Sequence, residues 1–210
     1  MVPHPRMCDD PAATGERDRM TLTTWYFEMR DRAELRPAKA PAEPVEFIRS
    51  QSPSPEFSRF LYTAVGGRWQ WIDRLPWTWN QWSEYLEQDG VETWVGYVRG
   101  TPIGFAELDA SKAGEVELAY FGLLPEFTGR GLGGHLLSEA IGRAWTLADR
   151  WPGIAAPRRV WGHTCTYDSP VALRNYKSRG FTVYKTETDE AAVPVASPGP
   201  WPGAGVPGLL

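Results

Sequence analysis

The residues with the clearest chemical meaning form one short run, Pro125-Glu-Phe-Thr-Gly-Arg-Gly-Leu-Gly-Gly-His135. Glycines at 129, 131, 133 and 134 carry no Cβ, so the backbone there can turn its N–H groups toward a ligand. Apolar spacing from Leu132 onward predicts a helix directly after the loop. A helix start adds unpaired N–H groups and the positive end of the dipole. Loop and helix start together suit an anion, phosphates above all. A P-loop would need Lys and then Ser or Thr after its last glycine, and Gly134 is followed by His135-Leu136. The dinucleotide pattern G-x-G-x-x-G is met in form by Gly129, Gly131 and Gly134. It belongs, however, in a leading strand–helix–strand unit with an acidic residue about 20 positions on. Here it follows an antiparallel hairpin, and the next strand reaches Asp168 too late for that role.

Three further groups invite a chemical reading. Glu117 lies on the strand ahead of the loop, and strict alternation puts it on one face with Ala119, Phe121 and Leu123. That apolar setting raises a carboxylate's pKa. Trp69, Trp71, Trp77, Trp79 and Trp82 crowd together, more than one uninterrupted helix face can bury; they pack a core or line an aromatic pocket. His163 and Cys165 share a strand face, yet two ligands do not make a metal site and no third lies nearby in sequence. No metal is expected.

The elements that must hold these residues are legible from period and punctuation. Thr21–Met29 is β-branched and aromatic, and a short strand is expected at Val45–Arg49. A helix starts at Ser54 or Pro55 and stops at Gly66-Gly67, and a second covers Trp77–Gln88. Strands Glu92–Arg99 and Pro102–Asp109 join through Gly100-Thr101, a tight hairpin signal. Glu115–Leu124 is the next strand, stopped by Pro125. Leu132, Leu136, Leu137, Ala140, Ile141, Ala144, Trp145 and Ala148 keep helical spacing up to Pro152-Gly153. After a strand at Arg159–Thr166, Ser169 as N-cap and Pro170 at the first helical position open another helix, which Gly180 closes. Phe181–Thr188 is the last strand. Antiparallel strands followed by strand–helix–strand–helix–strand mean a mixed α/β sheet.

Composition narrows the function classes. With 22 Lys+Arg against 26 Asp+Glu the net charge is −4, so nothing draws the chain to nucleic acid. The chain is 42% apolar and 23% charged over 210 residues, an ordinary globular mixture. No apolar run is long enough to span a membrane. The two cysteines, Cys8 and Cys165, lie far apart, which fits a reducing, cytoplasmic setting. Residues 1–20 and the uncharged Pro/Gly-rich tail 191–210 are expected to be flexible around a folded body at 21–190.

Arg130-Gly131-Leu132-Gly133-Gly134, after a strand ending Leu123-Leu124-Pro125, resembles the acetyl-CoA pyrophosphate loop of the GNAT superfamily of N-acyltransferases. That loop is written Gln/Arg-x-x-Gly-x-Gly/Ala, and Thr128 stands where Gln or Arg is usual. A second stretch, Ser169-Pro-Val-Ala172-Leu-Arg-Asn-Tyr176-Lys-Ser-Arg-Gly180-Phe181, resembles the family's Asn-x-x-Ala-x-x-x-Tyr-x-x-x-Gly-Phe, with Ser169 for Asn. The two motifs stand in the family's order.

The resemblance implies a GNAT-type fold, a mostly antiparallel central sheet splayed near an acetyl-CoA site and flanked by helices on both faces. It implies that Gly122, Leu123 and Leu124 pair with the pantetheine arm. Thr128, Gly129, Arg130, Gly131, Leu132, Gly133 and Gly134 would cradle the pyrophosphate, and Ser169 would join the cofactor site. Glu117 matches the position of a catalytic glutamate, the base for an amine. Tyr176 matches the tyrosine that protonates the departing thiolate. The first helical pair roofs the acceptor pocket in this family, which makes Trp77, Trp79 and Trp82 candidate acceptor contacts, stacking on an apolar amine or holding an ammonium over a ring. The implied activity is acetyl transfer to a primary amine of a small molecule, by a monomer or homodimer. Protein acetylation at an N-terminus or lysine, and a non-catalytic acyl-CoA-binding module, are the other readings.

Overall fold

The computed structural model describes residues 19–192. Seven strands form one sheet: β1 (Arg19–Met29), β2 (Glu46–Ser50), β3 (Val91–Val98), β4 (Thr101–Asp109), β5 (Glu115–Leu123), β6 (Arg159–Cys165) and β7 (Thr182–Ala192). Their order across the sheet is β2-β3-β4-β5-β6-β1-β7. All neighbours are antiparallel except β5 and β6. A parallel pair needs a long crossover. Helix α3 (Leu132–Trp145) supplies it, with the glycine loop at its entrance. The other helices are α1 (Pro55–Gly66), α2 (Trp79–Leu86) and α4 (Ala172–Ser178). The mixed, mostly antiparallel sheet with helices on both faces is the architecture the sequence implied.

The main core lies between the sheet and α3. The period that predicts α3 is the period it buries: Leu137, Ala140 and Ile141 are at most 1% exposed against Phe27, Leu108, Val116 and Val160, and Leu136, fully buried, packs with Val98 and Ile103. Each such large side chain contributes about 1.5–3 kcal/mol by leaving water. On the opposite face, α1 lays Leu61 and Val65 over Val95 and Phe105. Helix α2 joins α1 through Tyr62, Trp82 and Leu86.

Element ends depart from the expected ones for local reasons. Helix α2 begins at Trp79, two residues late, because Thr78 forms a capping box with Gln81. Helix α3 ends at Trp145, and a separate 3-10 turn at Leu147–Asp149 follows, so the apolar spacing through Ala148 spans two elements. Ser169 does not cap α4. The helix starts at Ala172, whose N–H donates to the Ser169 carbonyl (2.8 Å) in a preceding turn, and Val171 is the N-cap. Gly180 follows α4 with φ 105°, a conformation that glycine adopts without strain. Strands β1 and β7 pair from Arg19–Ala192 to Glu28–Thr182, so Arg19, Met20, Ala191 and Ala192 belong to the sheet. The rest of the two end segments expected to be flexible lies outside the described residues.

The departure with most bearing on chemistry is in β5. Tyr120 pairs with Glu107 and Leu118 with Leu108, so Ala119 is an extra residue, a β-bulge. Alternation inverts there. Val116, Leu118 and Phe121 face the α3 core, whereas Tyr120 packs with Tyr62 and Trp71 on the α1/α2 face. Glu117 therefore shares a face with Tyr120, and the expectation that it sits with Phe121 and Leu123 is corrected.

Candidate active site

Pairing between β5 and β6 covers three positions, ending at Glu117–Trp161. Beyond it the two strands part, and a cleft of about 1320 Å³ opens between them. It runs from the glycine loop and α4 to the loop between α1 and α2.

At the loop end, Gly129 (φ 73°) and Gly131 (φ 77°) both adopt the left-handed conformation that non-glycine residues resist. Gly131 is the N-cap of α3 and offers no side-chain acceptor to the first turn, which also holds no acidic residue. The contrast within the chain is direct. Ser54 caps α1 through the Phe57 N–H with Glu56 in the first turn, and Thr78 caps α2. The N–H groups of α3 are left for a ligand. The Arg179 guanidinium lies against Gly134, and its Nε has no hydrogen-bond partner among the described residues. A cationic fork beside an uncapped helix start is matched to a diphosphate. Arg179 escaped the sequence reading although it sits one residue before Gly180 in the second motif.

The sequence-nominated cofactor residues divide. Gly122, Leu123, Thr128, Gly129, Gly131, Gly133, Gly134 and Ser169 line the cleft. Arg130 instead pairs with Glu43 (3.4 Å) and covers the Phe127 ring, so its charge is turned away from the loop. Leu132 is 4% exposed in the core. The Leu124 N–H donates to the Ile103 carbonyl at 2.8 Å and is committed to β4. Thr128 turns its hydroxyl onto the Pro125 carbonyl (2.8 Å).

At the other end, Glu117 faces carboxylates from the neighbouring strand. Asp109 is its register partner and Glu107 is two pairs further along. Burial first, then the Asp109 charge, pushes the Glu117 carboxyl up to about 7, and Arg74 opposes them. Arg74, from the α1–α2 loop, is itself buried and ion-paired with Glu107 at 2.8 Å. Its guanidinium lies 4.2–4.7 Å from the ring centres of Trp77, Tyr85 and Tyr120. The Tyr85 hydroxyl donates to Glu107 (2.9 Å). His163, on β6, places Nδ1 3.8 Å from Glu117 Oε1. Sequence spacing gives no signal for Arg74 or Asp109, because strand register brings Asp109 to Glu117 and packing of the α1–α2 loop on the sheet brings Arg74.

Tyr176 also lines the cleft, with its ring stacked on Phe27 at 4.0 Å. Burial raises its hydroxyl pKa, so it stays protonated. The tryptophans separate more sharply than expected. Trp69, Trp71 and Trp77 line the cleft. Trp79 is 57% exposed and donates to Glu56, and Trp82 is core at 2%. Arg74 already occupies the ring faces that an acceptor ammonium was expected to use. Cys165 is held by burial and Asp168 as a raised-pKa thiol, and no group of three metal-ligating side chains occurs among the described residues.

A splayed sheet, an uncapped helix behind a glycine turn and a perturbed carboxylate meet in one cleft. The chain belongs to the acetyltransferase (GNAT) family, whose profile matches residues 53–181, more than half of it. Solved structures agree on the fold. The GCN5-related N-acetyltransferase from Kribbella flavida superposes with a TM-score of 0.57 at 18% identity, over 83% of this chain and 60% of that one. That from Sphaerobacter thermophilus gives 0.53 at 19%, over 84% and 55%. A functionally unknown conserved protein from Staphylococcus epidermidis gives 0.53 at 17%, over 81% and 61%. The chain thus spans less than two thirds of each of these matched chains. No curated protein matches it. No described helix is long and apolar enough to cross a membrane.

Proposed function

We propose that the protein transfers the acetyl group of acetyl-CoA to a primary amine of a small molecule, such as a metabolite, an antibiotic or an amino acid, by direct attack in a ternary complex. The observation that carries this reading is the place of Glu117, at the last β5–β6 pair, where the cleft opens. The residues present fit the cosubstrate: the first-turn N–H groups of α3 and Arg179 would hold the diphosphate, and the unpaired edge of β5 at Gly122 and Leu123 would hold the pantetheine arm. Acetyl-CoA supplies an activated acyl group and a thiolate leaving group. Glu117 takes a proton from the acceptor ammonium, directly or through one water, and so makes the amine a nucleophile. A pKa near 7 suits that task, because the carboxylate is available at neutral pH yet basic enough to accept. A β5 main-chain N–H aimed at the developing oxyanion stabilises it by about 2.7–4 kcal/mol. The Tyr176 hydroxyl, protonated at neutral pH, supplies the leaving thiolate's proton. Trp69, Trp71 and Trp77 wall the acceptor end, so the acceptor is a compact molecule with apolar surface.

The test is a panel of primary amines assayed for free thiol released from acetyl-CoA, beside a thermal shift with acetyl-CoA alone. Saturable release with at least one small amine is expected. Ligand at about 100 times Kd stabilises by about 2.7 kcal/mol. A thermal shift without thiol release from any amine would make the protein an acyl-CoA-binding module instead.

A further inference from the structure

Acetyl transfer to an ammonium releases a proton: R–NH3+ and a thioester become an amide, a thiol and H+. In the reading above, Tyr176 gives its proton to the thiolate and is reprotonated from the second proton shed by nitrogen. The first, taken by Glu117, must leave the protein before the next turnover. The Glu117 side chain is 16% exposed, and most groups around it are already engaged. Arg74 has no acceptor. Glu107 is buried and locked by Arg74 and Tyr85. Asp109 accepts from the Ser111 N–H, with the Tyr85 hydroxyl 3.4 Å from its other oxygen. Glu115, two residues along β5, is held by Lys112 and Arg159.

His163 stands beside Glu117 and also reaches solvent. Its Nδ1 stands 3.8 Å from Glu117 Oε1, and its side chain is 40% exposed. Strand pairing fixes it there, since Tyr26 of β1 is its register partner and lays a ring 5.8 Å from the imidazole at 37°. The groups around His163 include Glu117 from β5, Tyr26 from β1 with Lys185 of β7 over its ring, and Trp161 and Cys165 on its own strand. An imidazole takes a proton at one nitrogen while releasing one from the other.

We propose that His163 carries the proton from Glu117 to solvent. This rests on the acetyl-transfer reading. In each cycle the O–H bond of the Glu117 carboxylic acid breaks, an N–H bond forms at Nδ1, and the proton on Nε2 passes to water or buffer. Glu117 returns as carboxylate, and exchange with solvent water moves the remaining imidazole proton from Nδ1 back to Nε2, so that Nδ1 can accept again. His163 itself lines the cleft; in this role it acts through Glu117, setting the rate of proton exit rather than binding.

The experiment compares the wild-type chain with His163→Gln and Glu117→Gln, in dilute buffer and with imidazole added. For His163→Gln, kcat falls about tenfold in dilute buffer while both KM values hold, and imidazole restores it saturably. Imidazole leaves wild type and Glu117→Gln unchanged. Wild-type kcat for His163→Gln in dilute buffer, or a loss that imidazole does not repair, overturns the relay. His163→Asn repeats the test if the first variant melts early. Loss of activity in Glu117→Gln beside an unaffected His163→Gln removes the relay and keeps Glu117 as base. Full activity in Glu117→Gln removes both, as does absence of thiol release from the wild-type protein.

Discussion

At the glycine-loop end of the cleft the groups are main-chain N–H groups of consecutive residues, held by one turn and one helix start, with the single side chain of Arg179 beside them. At the Glu117 end they are side chains from β4, β5 and β6 and from the α1–α2 loop, brought together by strand register. The first end is local and tolerates changes elsewhere in the sheet. The second depends on every register that feeds it. A coenzyme common to many reactions can be held by the first kind of site, while a particular acceptor and its proton chemistry need the second.

The largest expected effect separates the two ends. Glu117→Gln lowers kcat by about 10²-fold or more and leaves acetyl-CoA affinity unchanged by calorimetry. A matching loss of acetyl-CoA affinity would show that the ends are one unit. Next comes stability against pH. The Glu117 pKa rises from 4.5 to about 7 on folding, so the native state binds its proton more tightly than the unfolded chain. Its contribution is full below pH 4.5 and is lost as pH rises through about 7, by about 3 kcal/mol in all. Urea melts across that window should show this decline in wild type and its absence in Glu117→Gln. The smallest effect lies among the tryptophans. Trp77→Ala raises acceptor KM several-fold without moving acetyl-CoA KM. Trp79→Ala, exposed on α2, changes neither and shifts stability by no more than about 0.5 kcal/mol.

What could be read from the sequence follows the same division. The glycine loop, the long helix and the Ser169–Phe181 stretch are contiguous, so their meaning survives without knowledge of tertiary structure. Arg130 misled because a charge beside a phosphate loop invites an electrostatic role, whereas Glu43, 87 residues away, claims it. Trp82 misled because helical spacing marks a buried face and says nothing about which cavity adjoins it. Glu117 was identifiable but its surroundings were not, since a bulge leaves no mark on a strand's apolar pattern. Arg74 lay between Trp71 and Trp77 in plain sight, and its place inside the aromatic cluster is a tertiary fact.

The bulge at Ala119 also makes function a matter of parity. Counting back from the turn at Pro125, an even or odd number of residues decides which side of the sheet a side chain meets. Removing Ala119 would keep the pairs Glu107–Tyr120 and Leu108–Leu118 and restore plain alternation, leaving Glu117 and Tyr120 toward the opening and Leu118 and Phe121 toward α3. The bulge is thus the one place in β5 that absorbs a single-residue deletion; at the paired positions on either side, a change of one residue would exchange lining for core, and only changes in twos keep the faces.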